Sequence, residues 1–188
     1  MTFPIELPPV LGDGVIRLDA PTLDDALAHW RGEDAEMRRR FDDPEPETPK
    51  PLEMAQAAMA RWINYRAAGG PQFAYALRVD DGVLAGGCEL QRPEHDRAQV
   101  SWWLFPDYRG RGLASRAARL LCHVAFESMP ELRTIEAHIA HDNHPSRHVA
   151  LSVGFVEAGE VTGDTWAGAT VTLKRYVLTG RKRVYVTA

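Results

Sequence analysis

One stretch, QVSWWLFPDYRGRGLAS from Gln99 to Ser115, constrains the fold of this chain more than any other. Its first half alternates between two faces and is rich in aromatic residues, which predicts a strand that ends at Pro106. Two glycines follow, and apolar residues then recur at helical spacing as far as Met129, which predicts a helix. Strand, glycine turn and helix in this order leave the first N–H groups of the helix unpaired at the positive end of its dipole. The stretch therefore predicts a binding site for a phosphate group.

Three phosphate-binding motifs share this layout and differ in their spacing. A P-loop requires a lysine and a hydroxyl residue after its second glycine, and neither follows here. Gly110, Gly112 and Ser115 form a GxGxxS variant of the dinucleotide fingerprint, although in that fold the first glycine follows the strand almost directly. That interpretation predicts a dinucleotide-dependent oxidoreductase and stays open at this point. The third motif depends on Arg109, Gly112 and Ala114.

The sequence Arg109-x-x-Gly112-x-Ala114 resembles the Q/R-x-x-G-x-G/A signature of the GNAT superfamily of acyl-CoA N-acyltransferases. A second segment resembles the N-x-x-S-x-x-V and G-F pattern of the GNAT branch that includes the ribosomal-protein N-terminal acetyltransferases. This segment consists of Asn143, Ser146, Val149, Gly154 and Phe155. The similarity in element order runs from about residue 14 to about residue 178.

The resemblance implies an acetyl-CoA-dependent N-acetyltransferase that moves an acetyl group to a primary amine by direct attack. The amine would belong to a protein N-terminus or to a small molecule. Many family members have a tyrosine where this chain has Ala150, so a non-catalytic sensor that binds CoA or a nucleotide is the alternative. The identity of the acceptor, the acyl group and the oligomeric state, monomer or homodimer, stay open.

Periodicity predicts a mixed α/β fold, and the resemblance implies the GNAT type: a central, mostly antiparallel sheet with one splayed parallel pair, flanked by helices. A three-strand antiparallel meander precedes the glycine turn, and the following helix returns the chain to a strand that pairs in parallel. The predicted strands are 14–19, 72–79, 83–90, 98–105, 134–140, 155–161 and 170–178. The predicted helices begin after Thr22 and near Leu52, Gly112 and Ser146.

At 188 residues, without a linker or repeat, the chain is predicted to be one domain over residues 1–188 with its core from about 14 to about 178. Its net charge of −4 argues against general nucleic-acid binding. Two cysteines, no leader and no apolar run long enough for a bilayer predict a cytoplasmic protein without membrane contact. Four histidines between residues 138 and 148 lack zinc-site spacing, so no metal is expected.

The resemblance implies that acetyl-CoA binds at the glycine turn and along the strand before it. Free backbone groups of Trp103, Leu104 and Phe105 would pair with the pantetheine arm like an added strand. The N–H of Leu104 would also stabilise the oxyanion, a role in which one donor is worth about 3 kcal/mol. Backbone N–H groups would hold the pyrophosphate, contributed by Arg109, Gly110, Arg111, Gly112, Leu113, Ala114 and Ser115.

The attacking amine must be neutral, so a base is expected on a strand near the thioester. The strand candidates are Glu89, Ser101, Glu136 and His138. Glu89 is preferred because it follows the small residues 86–88 on a central strand, where an unpaired carboxylate would be costly.

The departing thiolate also needs a proton donor. The resemblance assigns this role to the hydroxyl of Ser146, and it assigns a contact with the arm of CoA to Asn143. Both residues could also cap the helix that begins there, and capping does not exclude contact with a ligand.

Overall fold

The computed structural model describes residues 6–41, 43–80, 82–91, 96–164 and 170–180. The strands in this part are β1 (Val10–Gly12), β2 (Arg17–Asp19), β3 (Gln72–Val79), β4 (Val83–Gln91), β5 (Arg97–Leu104), β6 (Thr134–Ile139), β7 (Val156–Asp164) and β8 (Thr170–Thr179). The helices are α1 (Asp25–Gly32), α2 (Ala35–Arg40), α3 (Leu52–Ala67), α4 (Leu113–Ser128) and α5 (His144–Val153), and a short 3-10 turn covers Pro106–Tyr108.

The eight strands form one sheet in the order β1-β2-β3-β4-β5-β6-β8-β7. Strands β5 and β6 are parallel, and every other neighbouring pair in this sheet is antiparallel. The predicted mixed α/β fold, with its antiparallel meander and single parallel pair, is therefore confirmed. Strand β1 was not predicted because three residues are too few to show an alternating pattern.

The parallel pair is short and then opens. Its register covers only Arg97–Gln99 of β5 and Thr134–Glu136 of β6, although both strands continue beyond it. The two strands therefore enclose a V-shaped cleft between residues 100–104 and residues 137–139, with its apex at Gln99 and Glu136. The predicted splaying is confirmed. The glycine turn follows the open end of β5, and α5 follows the open end of β6.

The two faces of the sheet are covered differently. On one face, apolar residues of α4, including Leu121, pack against Leu90 and Val100 in the main core. These residues come from alternate positions of β4 and β5, as expected for strands with one face buried against a helix. On the opposite face, α1 and α3 contact β4 and β3. Glu89 lies on this second face because it is adjacent in sequence to the core residues Cys88 and Leu90.

Two adjacent glycines let β4 and β5 approach beside the cleft. A Cβ added to Gly86 would lie 2.2 Å from the Trp103 carbonyl oxygen. At Gly87 an added Cβ would lie 2.4 Å from the Trp103 ring and 2.7 Å from the Tyr75 carbonyl oxygen. Real Cβ atoms do not approach so closely, so any larger residue would displace β5. The small run before Glu89 therefore shapes the β5 wall of the cleft.

The first predicted strand is shorter than expected. It was predicted from Gly14 to Asp19 but covers only Arg17–Asp19. The carboxylate of Asp13 accepts hydrogen bonds from the N–H groups of Val15 and Ile16 at 2.9 and 3.0 Å, which holds these residues in a turn. Within the described residues, no helix combines the length and apolar character that crossing a bilayer requires.

Candidate active site

The glycine turn has the backbone geometry of an anion site. Gly110 and Gly112 have left-handed φ angles of 74° and 73°, which favour glycine over residues with a side chain. Gly112 is the N-cap of α4, and its carbonyl accepts from the N–H of Arg116 at 3.2 Å. The N–H groups of residues 113–115 therefore have no carbonyl partner within the helix. A Cβ built at Gly110 or Gly112 would meet no atom within 4 Å, so the space around the turn is open.

The two arginines of the turn have different surroundings. Arg109 forms a bidentate pair with Asp34 at 2.7 and 2.8 Å, and its Nε donates to the Leu104 carbonyl at 3.1 Å. Its guanidinium therefore links the turn to α2, and its contact with a phosphate stays a prediction. The exposed Arg111 places its guanidinium carbon 5.4 Å from the centre of the Tyr108 ring. No carboxylate within the described ranges pairs with Arg111, so it is the arginine better suited to meet a phosphate.

The register between β4 and β5 decides which backbone groups of β5 are available. Phe105 donates its N–H to the Ala85 carbonyl at 2.9 Å, and its own carbonyl accepts from the Tyr108 N–H at 3.0 Å. The prediction of free backbone groups at Phe105 is therefore wrong. Its ring is also engaged, because it packs so closely on α1 that a Cβ at Gly32 would lie 2.5 Å from it.

Backbone groups along an antiparallel strand alternate between its two edges. Because Phe105 is bonded to β4, Trp103 also directs its backbone groups to β4, where it lies opposite Gly87. The predicted pairing of Trp103 with the arm therefore fails for the same reason. Leu104 and Trp102 direct their N–H groups into the cleft, as the oxyanion prediction for Leu104 requires. Sequence reasoning missed Trp102, which the same alternation identifies once the edge facing the cleft is known.

Aromatic side chains form the wall of the site on the side of α1–α3. The Trp103 ring, in a residue only 8% exposed, stacks on Trp62 with centroids 5.6 Å apart and an interplanar angle of 22°. Phe41, at the end of α2, lies edge-on to Trp103 at 5.8 Å and is 48% exposed. Packing is therefore the observed role of the Trp103 side chain.

On the other side of the cleft, α5 begins at His144 rather than near Ser146. Asn143 is its N-cap, and its side-chain oxygen accepts from the Ser146 N–H at 3.2 Å. Ser146 occupies the third helical position, so its hydroxyl is not the cap and has no hydrogen-bond partner in the part of the chain described. Ala150, where many relatives have a tyrosine, is completely buried. The alternative of capping thus holds for Asn143 and not for Ser146.

Glu89 is a buried carboxylate with neutral hydrogen-bond donors. It is 6% exposed and lies between Ala74 of β3 and Ser101 of β5 in the register. Gln91 donates its amide to Glu89 Oε1 at 2.6 Å. Burial raises the pKa of Glu89, and hydrogen bonds from Gln91 and Trp62 and the charge of Arg61 oppose this rise without cancelling it.

Glu136 is equally buried but has basic partners. Its Oε2 lies 2.8 Å from His138 Nε2, and its Oε1 lies 3.2 Å from Arg175 Nη1 and 3.8 Å from Arg97 Nε. Burial opposes ionisation, but the hydrogen bond with His138 and the arginine charges outweigh it and lower the pKa of Glu136. Glu136 and His138 line a cavity of about 240 Å³ together with Gln99 at the apex of the cleft. Across the described ranges, no group of three His, Cys, Asp or Glu side chains is placed to hold a metal ion.

Helix α2 spans the open end of the cleft. Asp34, its N-cap, pairs with Arg109 of the glycine turn, as described above. At its other end, Arg40 pairs with Asp142 in the loop before α5 at 2.7 Å. Helix α2 is thus connected by ion pairs to both walls of the site.

A family model described as the acetyltransferase (GNAT) domain matches residues 16–156, which include the cleft, the glycine turn and α5. The chain belongs to the GNAT acetyltransferase family. The resemblance that the two sequence motifs indicated is therefore confirmed. The matched range contains every residue to which a site role was assigned from the sequence.

Comparisons with individual GNAT proteins agree with this assignment. A Bacillus subtilis (strain 168) protein named as a ribosomal N-acetyltransferase, YdaF, is 32% identical over 82 residues, which cover 43% of this chain and 44% of that protein. The match thus spans less than half the length of that relative.

Among solved structures, RimL, the ribosomal L7/L12 alpha-N-protein acetyltransferase in complex with coenzyme A, has a TM-score of 0.76 at 16% identity, over 90% of this chain and 97% of RimL. The microcin C7 self-immunity acetyltransferase MccE, in complex with acetyl-CoA and AMP, has a TM-score of 0.75 at 15% identity, over 89% of this chain and 94% of MccE. At these identities the two structures demonstrate a shared fold.

Proposed function

We propose that this GNAT chain is an acetyl-CoA-dependent N-acetyltransferase that transfers an acetyl group to a primary amine by direct attack. One observation carries the proposal: the free edge of β5 in the cleft leads directly into the open glycine turn. An extended ligand with amide groups and a pyrophosphate matches these two features in this order. The acetyl-CoA in the MccE complex and the coenzyme A in the RimL complex support the same ligand for a chain with this fold.

The backbone supplies most of the binding. N–H groups of residues 113–115 and the open turn at Gly110 and Gly112 receive the pyrophosphate, and Arg111 adds a positive charge. The amides of the pantetheine arm pair with the free edge at Trp102, and the Leu104 N–H is left for the thioester oxygen. These donors are preorganised, because they belong to a strand and a helix whose positions the core determines.

Two groups act on the reacting atoms. The amine nitrogen attacks the thioester carbonyl carbon, and the Leu104 N–H stabilises the negative charge that develops on the oxygen. As the carbon–sulfur bond breaks, its electron pair goes to sulfur, and the Ser146 hydroxyl hydrogen-bonds the thiolate. Asn143 holds the start of α5 and contacts the arm of CoA. Glu89, the base preferred from the sequence, stays a prediction that the variants below test.

A primary amine of a protein N-terminus or of a small molecule is the proposed acceptor. The names of YdaF and RimL support an N-terminus, although the alignment with YdaF covers less than half of either protein. A cytoplasmic location is also part of the proposal. Cys88 and Cys122 are free and buried, and burial raises the pKa of Cys122 to about 12, which suits unreactive core thiols in a reducing compartment.

The test combines binding and turnover. Calorimetry measures acetyl-CoA affinity, with NAD as the comparison ligand, and release of the CoA thiol is then followed with a panel of amine acceptors and N-terminal peptides. Binding of acetyl-CoA with acetylation of at least one amine is expected. Binding without turnover of any amine would favour the sensor alternative, and preference for NAD would overturn the assignment of the ligand.

A further inference from the structure

Strand β6 presents an acid and a histidine together on one face of the sheet. Glu136 and His138 are two residues apart, so their side chains leave the strand in the same direction. Glu136 Oε2 and His138 Nε2 are 2.8 Å apart. Both residues are largely withdrawn from solvent, with side-chain exposures of 8% and 18%.

The charge on Glu136 determines which nitrogen of His138 carries the proton. Arg175 and Arg97 lie on the other carboxylate oxygen and hold the group as an anion, which can only accept hydrogen bonds. His138 must therefore donate from Nε2. In the neutral ring Nδ1 is then an acceptor, and no described residue hydrogen-bonds to it.

The pair lies at the deepest part of the V-shaped cleft. Parallel pairing ends at Gln99 and Glu136, and the cavity of about 240 Å³ at this apex is lined by both residues and by His138. A ligand whose pyrophosphate is at the glycine turn enters from the open end, so its reactive end points toward the apex. An acceptor amine in this cavity would meet the thioester from the side opposite α4.

We propose that His138 is the base that removes a proton from the acceptor amine, and that Glu136 positions its ring and determines its tautomer. This inference rests on the proposed function and names a residue for one step of it. Glu89 is less well placed, because β5 separates its strand from the cleft and its carboxylate is occupied by Gln91.

His138 Nδ1 takes one proton from the ammonium form of the acceptor, and the free lone pair forms the new carbon–nitrogen bond. The carbon–sulfur bond breaks with its electrons on sulfur, and the second proton lost by nitrogen goes to the thiolate. His138 returns its proton to solvent, so one proton is released for each amide formed.

Three other strands contribute charged side chains to the cavity that His138 lines. Arg97 of β5 and Arg175 of β8 are positive, and Glu160 of β7 is negative. Glu136 of β6 is the fourth charged side chain that lines this cavity. Replacing Glu136 by Gln removes the anionic acceptor of the Nε2 proton.

Kinetics at saturating acetyl-CoA provide the first test. His138→Gln should lower kcat by about a hundredfold, at the low end of general-base effects. It should leave the KM for acetyl-CoA within about twofold and move the acidic limb of the kcat profile up to the pH at which the bound ammonium loses its proton without a base. Glu136→Gln should lower kcat less than His138→Gln does, because the ring remains but its tautomer is no longer held by an anion. His141→Ala is the matched control, because this exposed histidine also pairs with a glutamate, Glu160, and should behave like the parent.

The tautomer provides a second test that needs no turnover. Nitrogen-15 NMR of the parent should show His138 protonated at Nε2, and Glu136→Gln should lose this preference. Protonation at Nδ1 in the parent would overturn the proposal even if no acceptor were found. An acidic limb at the parental pH in folded His138→Gln, or a shift of the limb to higher pH in Glu89→Gln instead, would overturn it when turnover is present. Thermal unfolding of each variant separates these outcomes from a failure to fold.

Discussion

The two walls of the V-shaped cleft contribute different chemistry. The β5 wall and the glycine turn present mainly backbone groups, with Leu104 N–H and the start of α4 directed at the site. The β6 wall and α5 present side chains that can hold or donate protons, of which His138 and Ser146 are the main ones. We infer that binding of acetyl-CoA depends mostly on the first wall and turnover mostly on the second.

Two buried glutamates make the contrast more specific. Glu89 and Glu136 are both 6% exposed, yet burial raises the pKa of the first while basic partners lower that of the second. Gln91 and Trp62 are neutral, whereas Arg175 and Arg97 carry full charges that compensate for the lost solvation. Burial alone therefore does not determine the charge of a carboxylate, and the neighbouring side chains decide it.

The largest effect is expected at the β5 wall. Gly112→Val forces a branched residue into a left-handed conformation and blocks the approach of a phosphate, so the Kd for acetyl-CoA should rise at least about a hundredfold, or about 2.8 kcal/mol. Calorimetry measures this change. Gly14→Val is the control, because Gly14 also has a left-handed φ, of 84°, and open surroundings but lies in the loop before β2. Equal affinity in Gly112→Val and the parent would contradict the anion-site assignment.

A smaller loss is expected at the β6 wall. Glu136→Gln removes the buried carboxylate that Arg175 and Arg97 contact, and removing one partner of a buried pair costs about 3–5 kcal/mol. Both arginines are partly exposed, at 37% and 47%, so solvent screening reduces the expected destabilisation to about 2 kcal/mol. Urea denaturation at neutral pH provides the measurement. Unchanged stability would mean that Glu136 is not held as an anion.

The same two glutamates should give opposite pH dependences of stability. The pKa of Glu136 is lower in the folded protein than its value near 4.5 in the unfolded chain. Its ionised form therefore adds fully to the free energy of unfolding above about pH 4.5, and this addition is lost as the pH falls through the folded-state pKa. The pKa of Glu89 is higher in the folded protein than in the unfolded chain, so above about pH 4.5 the folded protein keeps a proton on Glu89 that the unfolded chain has lost. The free energy of unfolding therefore decreases as the pH rises above about 4.5. Denaturation of the parent and both Gln variants from about pH 3 to about pH 8 yields the two difference curves. If both difference curves changed in the same direction with pH, the two glutamates would not differ in the direction of their pKa shifts.

Ser146→Ala should lower kcat by roughly ten- to thirtyfold, or about 1–2 kcal/mol, because one hydrogen bond to the departing sulfur is lost. Its acetyl-CoA Kd should be nearly unchanged. Stability should also be unchanged, since the cap of α5 is Asn143. Asn143→Ala is the comparison variant and should cost about 1 kcal/mol of stability. If Ser146→Ala kept the full kcat of the parent, Ser146 would have no role in the reaction.

The smallest effect is expected for Glu89→Gln. The amide keeps the shape of the side chain and removes a charge that burial disfavours, so stability at neutral pH should stay the same or rise by up to about 1 kcal/mol. If His138 is the base, kcat should change by less than about threefold. A hundredfold loss of kcat with unchanged stability would instead support the sequence-based preference for Glu89.

Local patterns in the sequence were sufficient for much of the fold. The alternation before Pro106, the glycines at 110 and 112, and the helical spacing after them predicted β5, the turn and α4, because each depends on neighbours within a few residues. The meander and the single parallel pair followed from the order of elements. Asn143 and Ser146 were recognised as a pair, although which of them caps α5 depended on where the helix begins.

Long-range contacts decided the remaining features. The hydrogen bond between Phe105 and Ala85 sets which edge of β5 faces the cleft, so the N–H groups directed at the cleft are those of Trp102 and Leu104 rather than those of Trp103 and Phe105. Arg109 meets Asp34 across 75 positions of sequence, which no local pattern could indicate.

The charge states of the two buried glutamates depend on the tertiary structure in the same way. Both residues lie on strands and look alike in the sequence, so their types and positions were predictable. Their partners were not, because Arg175 reaches Glu136 from a strand 39 residues further along the chain. The sequence by itself therefore determined which groups are present near the cleft. Only the folded arrangement decided which of them are charged, because electrostatic energy depends on distances of a few ångströms between groups remote in sequence.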